Sequence, residues 1–325
     1  MRKLRQLIKL GWAYKIKKSA SVSYPPYQFT IEPTNICNLS CDFCPQSDPN
    51  HFDSRPVGQL TIENFKTFLD KISICGASNK NLNLTLDGEP FINKNFISFI
   101  EMAAKRGYFC VFASNGTLIN QEKADRLSTA GPFRASIDFS SDEKIYETIR
   151  GKKGHFELVR KNLVYLMEVA RSNSNVHLDI HDITSFSGAD AEESLIRMRG
   201  LFGENLPKQI RFASRQFHNF CGHLKSNGSD TNYRVCPYPW AQMAITHSGD
   251  CVPCCRDTTG RSVLGNLLEK PVMDIWNGPE YRKFRQNLLD GKPEKNLACV
   301  NCDLPFSGKE SRWRIGYILR SLLKR

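Results

Sequence analysis

The stretch IEPTNICNLSCDFCP, residues 31–45, sets Cys37, Cys41 and Cys44 in a C-x3-C-x2-C loop directly after a short apolar run at 28–31. Three thiolates on so tight a loop can hold three irons of a [4Fe–4S] cube, a cluster type that takes cysteine ligands. No neighbouring residue offers an obvious fourth ligand. A cube with one open iron can bind a substrate or cofactor as a Lewis acid, which a closed four-cysteine cluster cannot. A zinc knuckle is the competing reading, but zinc pairs carry a second pair about 12 to 20 residues on. No such pair follows within 30 residues of Cys44.

A length of 325 residues allows one large domain, or a large one with a small one. Hydrophobic residues make up 40% and charged residues 24%, so an ordinary buried core is expected. Twelve cysteines would suggest disulfides only in a short secreted protein, and no signal peptide opens the chain. Lysines interrupt the opening MRKLRQLIKLGWAYKIKK every few residues. No span approaches about 18 consecutive apolar residues, so no membrane crossing is expected. The cysteines therefore read as metal ligands in a reducing cytoplasm. The net charge of +12 asks for a partner: nucleic acid, an anionic membrane surface, an anionic substrate or an acidic redox protein. Residues 1–18 carry seven Lys/Arg and no acid, and 309–325 carry six against one Glu.

Along the chain, Leu4, Ile8, Leu10, Trp12 and Ile16 make residues 1–26 a basic arm, loosely amphipathic at helical spacing. Strands are expected at 28–31, 82–86, 108–113, 133–139, 176–183 and 209–212. Helices are expected at 61–74 (capped by Thr61), 93–106, 120–130, 156–171 and 190–202. Six strands with intervening helices argue for a parallel α/β sheet. Residues 216–235, poor in apolar side chains, read as a linker.

With Phe43 before its third cysteine, the loop resembles the signature of the radical S-adenosylmethionine (SAM) superfamily. The likeness implies an open, partial (β/α)6 TIM-like barrel over 27–215, with reactive groups at the carboxyl ends of the strands. Gly88-Glu89-Pro90, 45 residues beyond the third cysteine, resembles the family's "GGEP" segment that meets the methionyl ammonium. Asp87 stands where the family has its first glycine, a departure that matters only if the backbone there needs φ > 0. Ser114-Asn115-Gly116 resembles a segment near the SAM sugar, and Ser136-Ile137-Asp138 another that meets SAM. Arg150, in YETIRG, could pair with the SAM carboxylate as a fork.

The last third resembles the SPASM/twitch extension, a small hairpin-plus-helix domain placed at 236–308. Cys236-x17-Cys254-x44-Cys299-x2-Cys302 would hold an auxiliary [4Fe–4S] cluster in its shorter, single-cluster form. Cys251 and Cys255 are left over, and either could displace Cys254. A four-thiolate zinc site would use the same residues. The resemblance implies reductive cleavage of SAM to a 5′-deoxyadenosyl radical and hydrogen abstraction from a small molecule or a lipid-linked sugar. Twitch dehydrogenases match this chain in size and spacing, so two-electron oxidation of an alcohol is expected, with the auxiliary cluster as electron acceptor.

Arg215, His181, Asp182 and His218 lie past late strands as candidates for the hydroxyl proton, although Arg is a poor base. If Cys251, Cys255 or Cys221 donates a hydrogen atom instead, the product is an epimer. A ribosomal-peptide maturase is a further alternative, and a non-catalytic iron–sulfur or zinc protein the other-class one. A flavodoxin or ferredoxin suits the basic chain as reductant. No RNA-binding module is visible, so nucleic acid is not the expected partner. The basic tail at 309–325 and the N-terminal arm point to a cytoplasmic protein that rests on the inner membrane surface.

Overall fold

The computed structural model describes residues 2–53, 55–203, 205–215, 218–224 and 232–306. Six strands, β1 (Gln28–Ile31), β2 (Asn81–Asn83), β3 (Phe109–Ser114), β4 (Phe133–Phe139), β5 (Val176–Asp182) and β6 (Ile210–Ser214), pair in chain order and all in parallel. This is the expected open barrel sheet. On β4 and β5 every second side chain is buried, so Ser136 and Asp138 share one face with Asp179 and His181. Register sets Asp138 opposite His181. The other face packs Phe133, Ile137, Phe139, Leu178 and Ile180 into the main core.

Helices α2 (Ile62–Ile74), α3 (Phe96–Lys105), α4 (Gln121–Ala130), α5 (Glu143–Arg150), α6 (His155–Ser172) and α7 (Ala191–Gly200) connect these strands. Their starts are written in capping residues: Thr61 accepts from the Asn64 N–H at 3.1 Å, Asn120 from Lys123 at 3.0 Å, and Asp190 from Glu193 at 2.8 Å. Helix α3 begins later than the periodicity suggests. Asn93 is taken up holding the Pro33 and Leu60 carbonyls (2.8 and 2.9 Å), and a 3-10 turn at Pro90–Ile92 precedes it. Helix α5, capped by Asp142, was not anticipated as an element.

The C-terminal segment adds to the same sheet. After α8 (Tyr238–Ala241), β7 (Gln242–Ile245) pairs in parallel with the free edge of β1, and β8 (Cys251–Val252) returns antiparallel to it. Helices α9 (Val272–Trp276) and α10 (Pro279–Leu289) follow, and then two 3-10 turns, Pro293–Lys295 and Leu297–Cys299. Arg285 of α10 is buried and donates to the carbonyls of Pro239 (2.8 Å), Ala20 (3.0 Å) and Trp276 (2.8 Å). It therefore fastens this region to the N-terminal segment. There, α1 (Arg2–Gly11) and a π turn (Trp12–Ile16) cover the amino ends of the strands. Gln6 donates to the Pro25 carbonyl at 2.7 Å, and Tyr14 meets Trp240 at 6.3 Å between ring centroids. The basic tail expected at 309–325 lies outside the described residues.

Candidate active site and metal centres

One cavity opens at the carboxyl ends of β1 to β4. Cys37, Cys41, Phe43 and Cys44 are among its lining residues, with Gly88, Glu89, Ser114, Asn115, Asp138, Arg150 and Arg215. Strand ends carry each group there: the cysteine loop leaves β1, the Gly-Glu-Pro turn follows β2, Ser114 ends β3 and Asp138 nears the end of β4. Pro90 starts the 3-10 turn behind Glu89, and Ser136 reaches the Nδ1 of His181 at 3.0 Å.

The turn is pressed against the cysteine loop. Gly88 has φ of 65°, and a Cβ there would stand 2.6 Å from the Ile36 carbonyl oxygen and 2.7 Å from that of Thr34. Only glycine fits. The next N–H, of Glu89, donates to the Ile36 carbonyl at 2.8 Å. Glu89 itself is buried and receives the Ser114 hydroxyl (2.8 Å) and the Asn115 N–H (2.7 Å). Burial pushes its carboxyl up, against the pull of those donors. Asp87 does not adopt positive φ, so replacing the family's glycine there carries no backbone strain.

Around the thiols stand hydrogen-bond donors. The Arg150 guanidinium lies 3.3 Å from the Cys41 sulfur and 3.1 Å from the Asp138 carbonyl, with Phe43 and Tyr146 rings against it. The Asn115 amide lies 3.8 Å from the Cys37 sulfur. Burial raises the Cys37 thiol to about 11 and that of Cys44 to about 12.

Across the cavity, Asp138 gathers Arg150 (3.7 Å), Arg215 (3.6 Å) and His181 (3.8 Å), and Arg215 also reaches His181 at 3.4 Å. Burial lowers the His181 pKa, leaving a neutral imidazole at neutral pH. Asp182 is a different case. It is fully buried, accepts from the Thr184 backbone and from Ser194, and sits under α7 away from the cavity. Period-two alternation turns it to the opposite face from His181, which removes it as a candidate base.

A buried charge network, not anticipated from the residues alone, backs the cavity. Asp87 accepts from Gln46 (2.8 Å), His51 (2.7 Å) and Arg55 (3.1 Å), all on the loop after the cysteines. Arg55 forks onto Glu32 at 2.6 and 2.7 Å, and Glu32 also takes the ring (2.9 Å) and backbone (3.1 Å) N–H groups of His247. Burial would raise the Glu32 carboxyl, but the His247 and Arg55 donors outweigh it and hold it below the usual range.

In the C-terminal region, Cys236, Cys254, Cys299 and Cys302 are near enough to perturb one another electrostatically, and Cys236 and Cys299 are pushed up mainly by burial. Cys221 joins them: its thiol is near enough to Cys254 and Cys302 to couple with both, which holds Cys302 down and Cys221 up. Its 3-10 turn, Phe220–Gly222, has Phe220 and Cys221 at φ of 45° and 60° and is anchored by Asn219 on the Asn301 carbonyl at 2.7 Å. Nothing in the local sequence marks this turn as docking there. Cys251, fully buried on β8, has its sulfur 3.8 Å from the Gly249 carbonyl, and Cys255 accepts from Gln242 at 3.7 Å. Neither lines the cavity. Among the described residues, no three His, Cys, Asp or Glu side chains are closed on one point.

Residues 31–184 match the radical SAM superfamily, and residues 236–303 match the iron–sulfur cluster-binding domain known as SPASM. The chain is a radical SAM protein with a C-terminal SPASM domain. It is 24% identical over 281 residues to an S-adenosyl-L-methionine-dependent 2-deoxy-scyllo-inosamine dehydrogenase of Niallia circulans, spanning 84% of this chain and 91% of that protein. It is 26% identical over 324 residues to an AdoMet-dependent heme synthase of Nitratidesulfovibrio vulgaris, spanning 83% and 85%. In fold it resembles BtrN in complex with AdoMet and 2-DOIA, with a TM-score of 0.56 at 18% identity, over 86% of this chain and 93% of that one.

A radical SAM protein of this domain order carries a SAM-binding [4Fe–4S] cluster and an auxiliary cluster. The donor sets fit them. Three thiols around one cavity, faced by a guanidinium and an amide, suit the first. A buried group of cysteines beside Arg256, which pairs with Asp303 at 2.7 Å, suits the second.

Proposed function

We propose that this radical SAM enzyme oxidises a secondary alcohol of a small sugar- or cyclitol-like molecule to a ketone. Cys37, Cys41 and Cys44 would hold the SAM-binding cluster, and Cys236, Cys254, Cys299 and Cys302 the auxiliary one. When bound, the clusters and SAM supply a 5′-deoxyadenosyl radical and an acceptor for the electron left on the substrate. The residues of the chain do the rest. Glu89 offers a buried carboxylate to the methionyl ammonium, with Gly88 and Pro90 shaping the turn. Ser114, Asn115 and Ser136 present hydroxyl and amide groups to the sugar end. Arg150, with Phe43 packed beneath it, answers a carboxylate. Arg215 and Asp138 orient the substrate hydroxyl, and neutral His181 behind them receives its proton.

The observation that carries this reading is that Asp138 and Arg215 line one cavity with the three thiols, with His181 against both of them. The dehydrogenase relative, matched over 91% of its length, supports it. Cys251 and Cys255 lie outside the cavity, so the epimerase alternative lacks a placed hydrogen donor from that pair. The charge of +12 supports an acidic flavodoxin or ferredoxin as electron donor, and with it a cytoplasmic setting.

The test is anaerobic turnover with SAM, dithionite and a panel of amino-cyclitols and sugars deuterated at the carbinol carbon. Expected are 5′-deoxyadenosine and ketone in equal amounts, with the deuterium recovered in the 5′-deoxyadenosine. A product at the substrate's own oxidation level carrying solvent hydrogen would overturn the dehydrogenase reading.

A further inference from the structure

We propose that the outer face of the N-terminal helix and its π turn docks on an anionic lipid bilayer, with the SAM cavity turned away from it. The segment has two apolar faces. Leu7, Leu10, Ala13 and Tyr14 are buried against the body of the protein. Leu4, Ile8, Trp12 and Ile16 are exposed at 44, 62, 58 and 60%, a row of four large apolar side chains four residues apart. On an α-helix such a row drifts around the axis, because four residues overshoot one turn. Here the last step is made in the π turn, closed by the Lys17 N–H on the Trp12 carbonyl at 2.8 Å. The wider turn steps Ile16 in the opposite sense, against that drift.

Charge decides what covers the row. Arg5, Lys9, Lys15, Lys17 and Lys18 are exposed beside it, and no acid occurs in residues 1–18. Apolar anchors flanked by cations bind anionic bilayers by burial plus electrostatic attraction. A solvated helix needs no such row, and a packing helix already has its buried face.

Orientation follows from where the helix sits. Gln6 holds Pro25 and the Ser78 backbone (3.1 Å), just ahead of β1 and β2, and Trp240 stands just ahead of β7. The cavity lies at the other ends of those strands. A bilayer on this face leaves the cavity open to water, so the substrate comes from solution and not from a lipid in the same bilayer. This bears against a lipid-linked sugar and holds whichever reaction the cavity performs.

The experiment is co-sedimentation of the full-length holoprotein with phosphatidylcholine vesicles, with and without phosphatidylglycerol, alongside tryptophan fluorescence. Binding to the anionic vesicles only, weakened by added salt, is expected. So is a blue shift, read in a Trp313→Phe background, that Trp12→Phe abolishes, since Trp240 and Trp276 are already buried. The double variant Ile8→Glu/Trp12→Glu should bind about tenfold or more weakly, while cleaving SAM at the wild-type rate, which also shows that it is folded. Vesicles should leave SAM cleavage by the wild type unchanged. Equal vesicle binding by the double variant would overturn the proposal. So would concentration-dependent dimerisation that the variant abolishes without any vesicle binding. Loss of SAM cleavage on vesicle binding would overturn the orientation.

Discussion

Glu32→Gln tests whether the buried charge network holds the cysteine loop in place. The glutamate is fully buried, and its two oxygens receive four N–H contacts, two from Arg55 and two from His247. Glutamine keeps the volume but only one acceptor oxygen. Turned its better way, the amide leaves its NH2 against one Arg55 nitrogen, which retains Asp87 at 3.1 Å. Removing one partner of a buried pair costs about 3–5 kcal/mol, and the remaining Asp87 puts this case near about 3. At roughly 2 °C per kcal/mol for a chain this long, the melting temperature should fall by about 6 °C.

The pH dependence has a definite sign. Glu32 is held below its ordinary value of 4.5, so its contribution is complete above that value and is lost as pH falls through the lower, folded one. The gap between wild type and variant should therefore be constant near neutrality and close in acid. Anaerobic thermal melts across that range measure it. A second series in an Arg55→Met background should shrink the Glu32→Gln cost, because the charge it neutralises is gone. A variant melting within about 1 °C of wild type at neutral pH, or losing as much without Arg55, would refute the argument.

Glu89→Gln should weaken SAM binding by about ten- to a hundredfold, the worth of one hydrogen bond to a charged group, read by calorimetry on the reconstituted enzyme. Cys41→Ala should abolish 5′-deoxyadenosine formation, whereas Cys254→Ala should lower iron and acid-labile sulfide, keep SAM cleavage and lose the ketone. Iron retained at wild-type level in Cys254→Ala would remove it from the ligand set. Arg285→Met leaves the carbonyls of Ala20, Pro239 and Trp276 without their donor. It should cost about 3 kcal/mol or more in thermal stability with SAM affinity unchanged.

What could be read from the residues was what local chemistry writes. β1 and β4 occupy the expected positions because apolar alternation and flanking turns mark them, and the caps at Thr61, Asn120 and Asp190 announce their helices. Helix α5 escaped because EKIYETIR offers too narrow an apolar stripe, and it is its N-cap Asp142 and left-handed Gly151 that define it. Strand β7 escaped because QMAI is short and lies in a cysteine-rich segment. Its partner is the edge of β1, more than 200 residues earlier, and no local pattern encodes that pairing.

The same division runs through the site. Cys37, Cys41, Cys44 and Glu89 belong to compact motifs, because a metal cube or a bound cofactor gathers ligands from one turn of chain. The residues that position them do not. Asp87 reads in the sequence as a tolerated change from glycine, and its φ bears that out. Yet its carboxylate is the point where the loop after the cysteines is tied down, by Gln46, His51 and Arg55. Arg55 then passes the connection through Glu32 to His247, just past the end of β7. Removing the side chain at position 87 would strand those donors in a buried site, while adding one at Gly88 would collide with the Ile36 and Thr34 carbonyls. Two adjacent residues therefore forbid change for opposite reasons: the second for want of space, the first for want of an acceptor. Only the second could have been argued from the chain alone.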